Sequence, residues 1–285
     1  MSRERTSYTI HFVRKNPVRK QIEEFRKGLK PFLGVRKRDF PWRKTHDPYA
    51  ILVSEIMLQQ TQVSRVVPKF VSFLKRFPNL LALSRAPLSA VLTEWQGLGY
   101  NRRAKMLHDA AQACMIYHTG HIPNNYADLV ALPGVGQYTA RAIMVFAYNE
   151  PEVLIETNVR SVFIHHFFPT SKKVEDDRIL KILAPLVPKA HARAFYSALM
   201  DYGTYLKSTV SNPSRKSAHH TKQKPFKGSD REIRGALVRL LSSRNATIDS
   251  IRKELMFEEE RIKLQLGRLE KEEMITRKGR IYRLR

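Results

Sequence analysis

The sequence predicts an all-α protein, with one large helical domain, a polar basic stretch and a small module of helices closed by a β-hairpin. Three observations lead there. Apolar residues recur at intervals of three and four from about Arg19 to Lys207, with no sustained period-two alternation. Gly and Pro punctuate that pattern at GLGY, LPGVG and FPTS. Residues 208–228 then turn polar and basic, nearly free of aliphatics.

Composition bounds what such a chain can do. Its 285 residues are 42% hydrophobic, enough for a core divided between one larger and one smaller domain. Lys and Arg number 51 against 26 Asp and Glu, a net charge of +25, and the pI is near 10.3. An excess of that size points to a polyanionic partner held through phosphate contacts. No apolar run approaches the roughly 20 residues that span a bilayer. The start, MSRERTSYTIHFVRKNPVRK, lacks the apolar core and cleavage site of a signal peptide, so the protein reads as soluble and intracellular. The single cysteine, Cys114, rules out an intrachain disulfide and any multi-cysteine metal or iron–sulfur site. Within AKMLHDAAQACMIYH it reads as an inert, buried thiol.

Taken in order, residues 1–17 are basic, weakly patterned and expected to form a flexible arm. Residues 18–207 form the helical domain, from QIEEFRKGLKPFL and DPYAILVSEIMLQQ to TNVRSVFIHHFF and HARAFYSALMDYGTYL. Residues 208–228, STVSNPSRKSAHHTKQKPFKG, read as a basic linker or a strap tracking along a polyanion. In 229–285, REIRGALVRLLSS, TIDSIRKELM and EEERIKLQLGRLEKEEMI are helical, with Thr247 placed to cap the second. TRKGRIYRLR completes two short strands around Lys278-Gly279. Three helices and a hairpin make the winged-helix pattern.

Two features carry chemistry. In LVALPGVGQYTARAI a helix ends at Pro133-Gly134-Val135-Gly136 and another begins at once. The glycines permit a tight turn that brings backbone N–H groups and a helix N-terminus against an anion. A Gly-rich turn can also be a mere connector; the charge of the chain favours a DNA phosphate. The second feature is a pair of carboxylates in apolar surroundings, Glu55 in AILVSEIML and Glu156 in LIETNVRSVF. A lone buried carboxylate costs several kcal/mol, and paired ones can divide acid and base work. Glu156 can instead cap a helix opening near Thr157.

SEIMLQQTQV, WQGLGY, LPGVGQYTA and ETNVR occur in this order, and together they resemble the helix-hairpin-helix (HhH-GPD) DNA glycosylases, most closely the MutY-type adenine glycosylases. The resemblance covers about residues 39–207 and implies a fold of two helical subdomains, with a base flipped into a pocket between them. By the same resemblance, Glu55 matches the acid that protonates the leaving adenine. Gln59, Gln60 and Thr61 match the loop that probes the duplex. Tyr100, followed by Asn101 and Arg102, matches the wedge in the opposite strand. Gly134, Val135 and Gly136, with Gln137 and Thr139, match the phosphate-holding hairpin. Tyr138 stands where bifunctional relatives carry a Schiff-base Lys, which implies a monofunctional enzyme without lyase chemistry. Glu156 stands where the family has Asp, the anion that stabilises the sugar cation, and Asn158 matches the Asn that orients it. The extra methylene shifts that carboxylate by on the order of 1 Å.

Two departures from the family stand out. Its four-cysteine iron–sulfur loop is replaced by YLKSTVSNPSRKSAHHTKQK, so no cofactor is expected, although Lys207, Arg215, Lys216, Lys222 and Lys224 can still meet phosphates. Its Nudix-like domain, which reads 8-oxoguanine, has no match, and the winged-helix-like module follows instead. His165-His166 and His219-His220 lack ligand partners at metal spacing, so no metal is expected. Trp42 and Trp95 read as core or interface. The expected function is excision of adenine mispaired with guanine or 8-oxoguanine in double-stranded DNA, by a monomer in the cytoplasm at the nucleoid, or in the nucleus of a eukaryote. Thymine in G·T mismatches or hypoxanthine is the alternative substrate. A non-catalytic DNA-binding protein on the same fold is the alternative of another class.

Overall fold

The computed structural model describes residues 17–221 and 225–285. The arm expected over residues 1–17 lies outside these apart from Pro17, as do Lys222 and Lys224. Among the described residues the helices begin with α1 (Pro17–Leu29), α2 (Pro48–Leu58), α3 (Val63–Arg76), α4 (Leu80–Arg85) and α5 (Leu88–Glu94). There follow α6 (Arg102–Tyr117), α7 (Tyr126–Ala131), α8 (Gln137–Phe146), α9 (Thr157–Phe167), α10 (Asp176–Leu183) and α11 (Ala192–Thr209). The last part runs α12 (Asp230–Ser243), β1 (Ala246–Thr247), α13 (Ile248–Leu255), α14 (Glu259–Lys271), β2 (Ile275–Lys278) and β3 (Ile281–Leu284). No described helix is long and apolar enough to cross a membrane.

The chain divides into two compact units, one of residues up to Arg38 with Val153–His220, the other of Asp39–Glu152 with Thr221–Arg285. In the first unit α9 packs along α11, and α1 lies on both. Phe25, Val159, Phe163, Tyr196 and Leu199 are buried there. Gly203 of α11 makes the close approach possible: a Cβ at that position would stand 2.7 Å from Asn158 Cα, closer than side chains tolerate. Arg38 is fixed to α11 through Asp201, its backbone N–H donating to Oδ2 at 3.0 Å and its Nε to Oδ1 at 2.5 Å.

The stretch expected as a linker from residue 208 is folded through its first half. Pro213–Lys216 forms a 3-10 turn on α9, and Pro213, Ser214 and Ser217 are buried. Val174 pairs with this segment, donating to Lys216 O at 2.8 Å and accepting from Ala218 N at 2.9 Å. Backbone pairing and a proline in contact hold the segment, and neither produces an apolar period in the sequence.

His166 of α9 gives this unit a pH dependence. Its Nε2 lies 2.7 Å from the Tyr202 hydroxyl, and Phe25 meets its ring edge-on. Burial, with His165 adding to it, pushes the imidazole down to about 4. The unfolded imidazole titrates near 6.5, so the unfolded state takes the proton first as pH falls. The contribution of neutral His166 is full above about pH 6.5 and is lost as pH falls towards 4. Urea unfolding should show a drop on the order of 2 kcal/mol across that window, after allowance for solvent screening. His166→Asn should flatten this part of the profile; an unchanged slope would contradict the assignment.

In the second unit α2 is the central helix. Asp47 caps it, accepting from Tyr49 N at 3.0 Å, and Pro48 occupies the first turn, where no N–H is needed. Every residue from Tyr49 to Met57 is buried, Glu55 among them. α3, α6 and α8 pack around it. Cys114 is wholly buried on α6, where burial pushes its thiol up to about 11.

The terminal module belongs to this unit. Its three strands form an antiparallel sheet in the order β1-β3-β2, with Ala246 opposite Tyr282 and Ile275 opposite Leu284. The hairpin turns at Gly279, φ +60°, and Thr247 caps α13 by accepting from Ser250 N at 3.3 Å. Ile233, Leu237, Ile251, Ile262 and Leu269 form the module's core. α12 packs on α5, and Ser89 N donates to Arg285 O at 2.6 Å.

Candidate functional site

The second unit holds most of the expected site residues. Glu55 lies on α2, 8% exposed, between Ser54 and Ile56, which are buried as well. A carboxyl in such a place is costly unless it is hydrogen-bonded or paired. Asp201, in the first unit, is the other buried carboxylate among the described residues, and Arg38 balances it. At the end of α2 the chain passes through Gln59, Gln60 and Thr61. Gln60 has φ +55°, and Tyr100, in the second expected DNA-contacting loop, has φ +49°. Bulky residues in the left-handed region are strained, and such strain persists where surrounding structure enforces it, often at ligand sites.

Arg103 is what enforces it. Its Nη1 donates to the carbonyls of Ile56, Met57 and Gln59 at 2.8, 2.9 and 2.6 Å. Its Nη2 donates to Thr61 Oγ1 at 2.9 Å and to the Leu98 and Gly99 carbonyls at 3.2 and 3.1 Å. One guanidinium thus closes the C-terminus of α2, where a cation suits the helix dipole, and ties that end to the GLGY loop. Its carbon also lies 5.5 Å from the Trp95 ring centroid and 5.4 Å from that of Tyr100. Burial lowers its pKa to about 10, so it stays cationic at neutral pH. The neighbouring Arg102, expected from the sequence to contact DNA, is exposed in the first turn of α6. Nothing in a single sequence separates two adjacent arginines, except that a helix starting at 102 turns them to different faces.

The hairpin is built as the glycines imply. Gly134 has φ +75°, and a Cβ there would stand 2.6 Å from Met106 Cβ, so only glycine fits. Val135 is buried and its N–H donates to Leu132 O at 3.1 Å, within the turn itself. Gly136 starts α8 without a capping side chain, so the positive end of the helix dipole lies at the hairpin. Gln137 is exposed and Tyr138 half-buried. Thr139 is buried and accepts from Gln59 Nε2 at 3.2 Å, tying the QQT turn to the hairpin helix. Gln59, Gln60, Tyr100, Asn101, Arg102 and Gly134 border one cleft. Val135, Gln137 and Thr139 are not among its lining residues.

In the first unit Glu156 is the N-cap of α9. Its Oε1 accepts from Asn158 N at 2.8 Å and Val159 N at 3.0 Å, and Oε2 accepts from Asn158 Nδ2 at 3.1 Å. Thr204 Oγ1 donates to Asn158 Oδ1 at 3.3 Å, fixing the amide orientation. Lys207, expected to meet phosphates from the following loop, lies on α11 within electrostatic reach of Glu156; burial lowers its pKa, and Glu156 opposes that shift. Glu156→Ala should cost about 1 kcal/mol of stability from the lost cap. Glu156→Asp keeps a capping oxygen and should cost less, as thermal melts of the two variants will show. A fall in reaction rate beyond the melt difference would separate a chemical role from capping.

A model of the HhH-GPD superfamily base excision DNA repair proteins matches residues 53–257, more than two thirds of the chain. The chain belongs to this superfamily. An adenine DNA glycosylase of Buchnera aphidicola subsp. Baizongia pistaciae is 36% identical over 178 residues, 62% of this chain and 50% of that protein. An adenine DNA glycosylase of Mycobacterium tuberculosis is 35% identical over 225 residues, 72% of this chain and 74% of that protein. The chain thus spans about half the length of the first relative and about three quarters of the second. The structure of a thermostable thymine-DNA glycosylase superposes with a TM-score of 0.63 at 27% identity, covering 70% of this chain and 94% of that one. The superfamily match spans both the buried Glu55 and the Glu156–Asn158 cap.

Proposed function

We propose that the protein is a monofunctional DNA glycosylase that hydrolyses the N-glycosidic bond of adenine mispaired with guanine or 8-oxoguanine in duplex DNA. The observation that carries this reading is Glu55, a carboxyl buried in the central helix at the turn that leads to Gln59 and Gln60. Glu55 gives its proton to the flipped adenine. The C1′–N9 bond breaks with its electron pair going to the base, and the charge left on the sugar is stabilised by the Glu156 carboxylate. Asn158, held by Thr204 and Glu156, orients that carboxylate. Water adds at C1′ and loses a proton, leaving an abasic site. Tyr138 offers no amine for a Schiff base, so the strand stays intact until alkali is added. Phosphates are held by the first turn of α8 and by the chain's large positive charge. No cofactor or metal takes part in this scheme, and the protein acts as a monomer.

Sequence likeness to adenine DNA glycosylases supports adenine. Structural likeness to a thymine-DNA glycosylase favours a second reading, thymine opposite guanine. Single-turnover excision on duplexes with A opposite 8-oxoguanine, A opposite G, T opposite G, or hypoxanthine opposite T decides between them. Adenine duplexes are expected to react at least tenfold faster than the others; faster reaction of the T·G duplex would move the enzyme to thymine.

A further inference from the structure

The cleft bordered by Gln59, Gln60, Tyr100 and Gly134 has a second wall, and the terminal module supplies it. Arg231, Arg234 and Gly235 of α12, with Glu272 after α14, face the same cavity of about 460 Å³. Such a volume falls within the range of small-molecule sites, about 300–1,000 Å³. Arg231 Nη1 donates to the Tyr100 hydroxyl at 2.7 Å, and its guanidinium lies 5.3 Å from the ring centroid, so α12 helps hold the strained Tyr100. Arg234 Nη2 donates to Glu272 Oε2 at 2.6 Å. The two side chains are only 18% and 26% exposed. Gly235 leaves open space beside them.

By analogy with winged helices, α14 is the helix that would enter a DNA groove. Three of its four basic side chains are already engaged. Arg261 and Arg268 are paired to Asp230, and Lys263 to Glu259 and Glu260. Residues 258–273 carry six acidic side chains against four basic ones, a poor surface for phosphates. What the module presents to the cleft is α12 and the Arg234–Glu272 pair.

We infer that this cleft receives the base opposite the excised one, and that Arg234 and Glu272 together select guanine-type bases there. The inference rests on the glycosylase reading above for why a base is left unpaired. An arginine beside a carboxylate presents donors next to an acceptor. Guanine is complementary, with O6 accepting from Arg234 and N1–H and the 2-amino group donating to Glu272. 8-Oxoguanine has the same edge and is bound alike. Thymine matches through O4 and N3–H but lacks the amino group. Adenine and cytosine put an amino donor and a ring acceptor where the opposite is needed, which leaves buried polar groups unpaired.

Equilibrium binding tests this independently of the chemistry. Duplexes would carry a tetrahydrofuran abasic analogue opposite G, 8-oxoguanine, T or C, bound by the full-length protein, Arg234→Ala, Glu272→Ala and Arg239→Ala. Arg239 is exposed on α12 and does not line the cleft, so its variant removes the same charge elsewhere. The wild type is expected to bind the G and 8-oxoguanine duplexes about tenfold more tightly than the C duplex. Arg234→Ala and Glu272→Ala should bring that ratio close to one, while Arg239→Ala leaves it unchanged. An unselective wild type, or variants that weaken every duplex equally, would overturn the inference. Loss of adenine release with the binding ratio intact would instead count against the glycosylase reading alone.

Discussion

Glu55→Gln is expected to slow adenine release by about a thousandfold while duplex affinity stays within a few-fold of wild type. Gln keeps the size and hydrogen-bonding capacity of the buried side chain, so α2, buried from Tyr49 to Met57, should keep its packing. What it loses is the proton. Adenine leaves poorly as an anion, and a positioned general acid contributes 10²–10⁴-fold, roughly, to such a departure. Single-turnover rates beside a binding titration measure both quantities. A rate within tenfold of wild type would remove Glu55 from the chemistry.

Arg103→Ala should be the most destabilising single change near the site. It strips six acceptors of their donor, three of them carbonyls at the end of α2. Half-buried acceptors left without their donor, with the lost packing of the guanidinium, together cost about 3 kcal/mol, or about 10 °C in Tm for a unit of this size. Gln60 and Tyr100, released from the tie, should relax from positive φ, and activity should fall even well below the melting temperature. Arg103→Lys restores the charge but not the fork that reaches both loops, so it should recover only part of either loss. Thermal melts of both variants, with rates taken at low temperature, check this. A melt within 2 °C of wild type would show that the tie is dispensable.

Much of the architecture was legible because its causes are local. Asp47-Pro48, the LPGVG turn and the Thr247 cap are short signals whose chemistry dictates helix starts and turns, and each stands in the structure where its chemistry places it. The hairpin around Lys278-Gly279 follows from a glycine that reaches φ +60°. Glu55 was visible as a charge inside an apolar helix. Less was legible where distant residues meet. Arg103 looks like any basic residue of a helical first turn, and only the fold brings five carbonyls and a hydroxyl around it. The hydrogen bonds by which the side chains of Thr61 and Thr139 tie the loops together leave no trace in the sequence. The packing of residues 213–218 rests on backbone pairing with Val174, which leaves no periodic trace. Glu156 caps α9, one of the two meanings that its sequence context allowed, and its capping bonds fix the carboxylate beside Asn158.

The most direct measurement is identification of the released base. The full-length protein in excess over a duplex with A opposite 8-oxoguanine would be followed by mass spectrometry of the small-molecule fraction, with the strands resolved before and after alkali. Stoichiometric free adenine, an intact strand that breaks only in alkali, and loss of both signals in Glu55→Gln are the expected result. A bound duplex that yields no free base would contradict it, and the Glu55 and Glu156 carboxylates would then belong to a protein that binds DNA without cutting its glycosidic bonds.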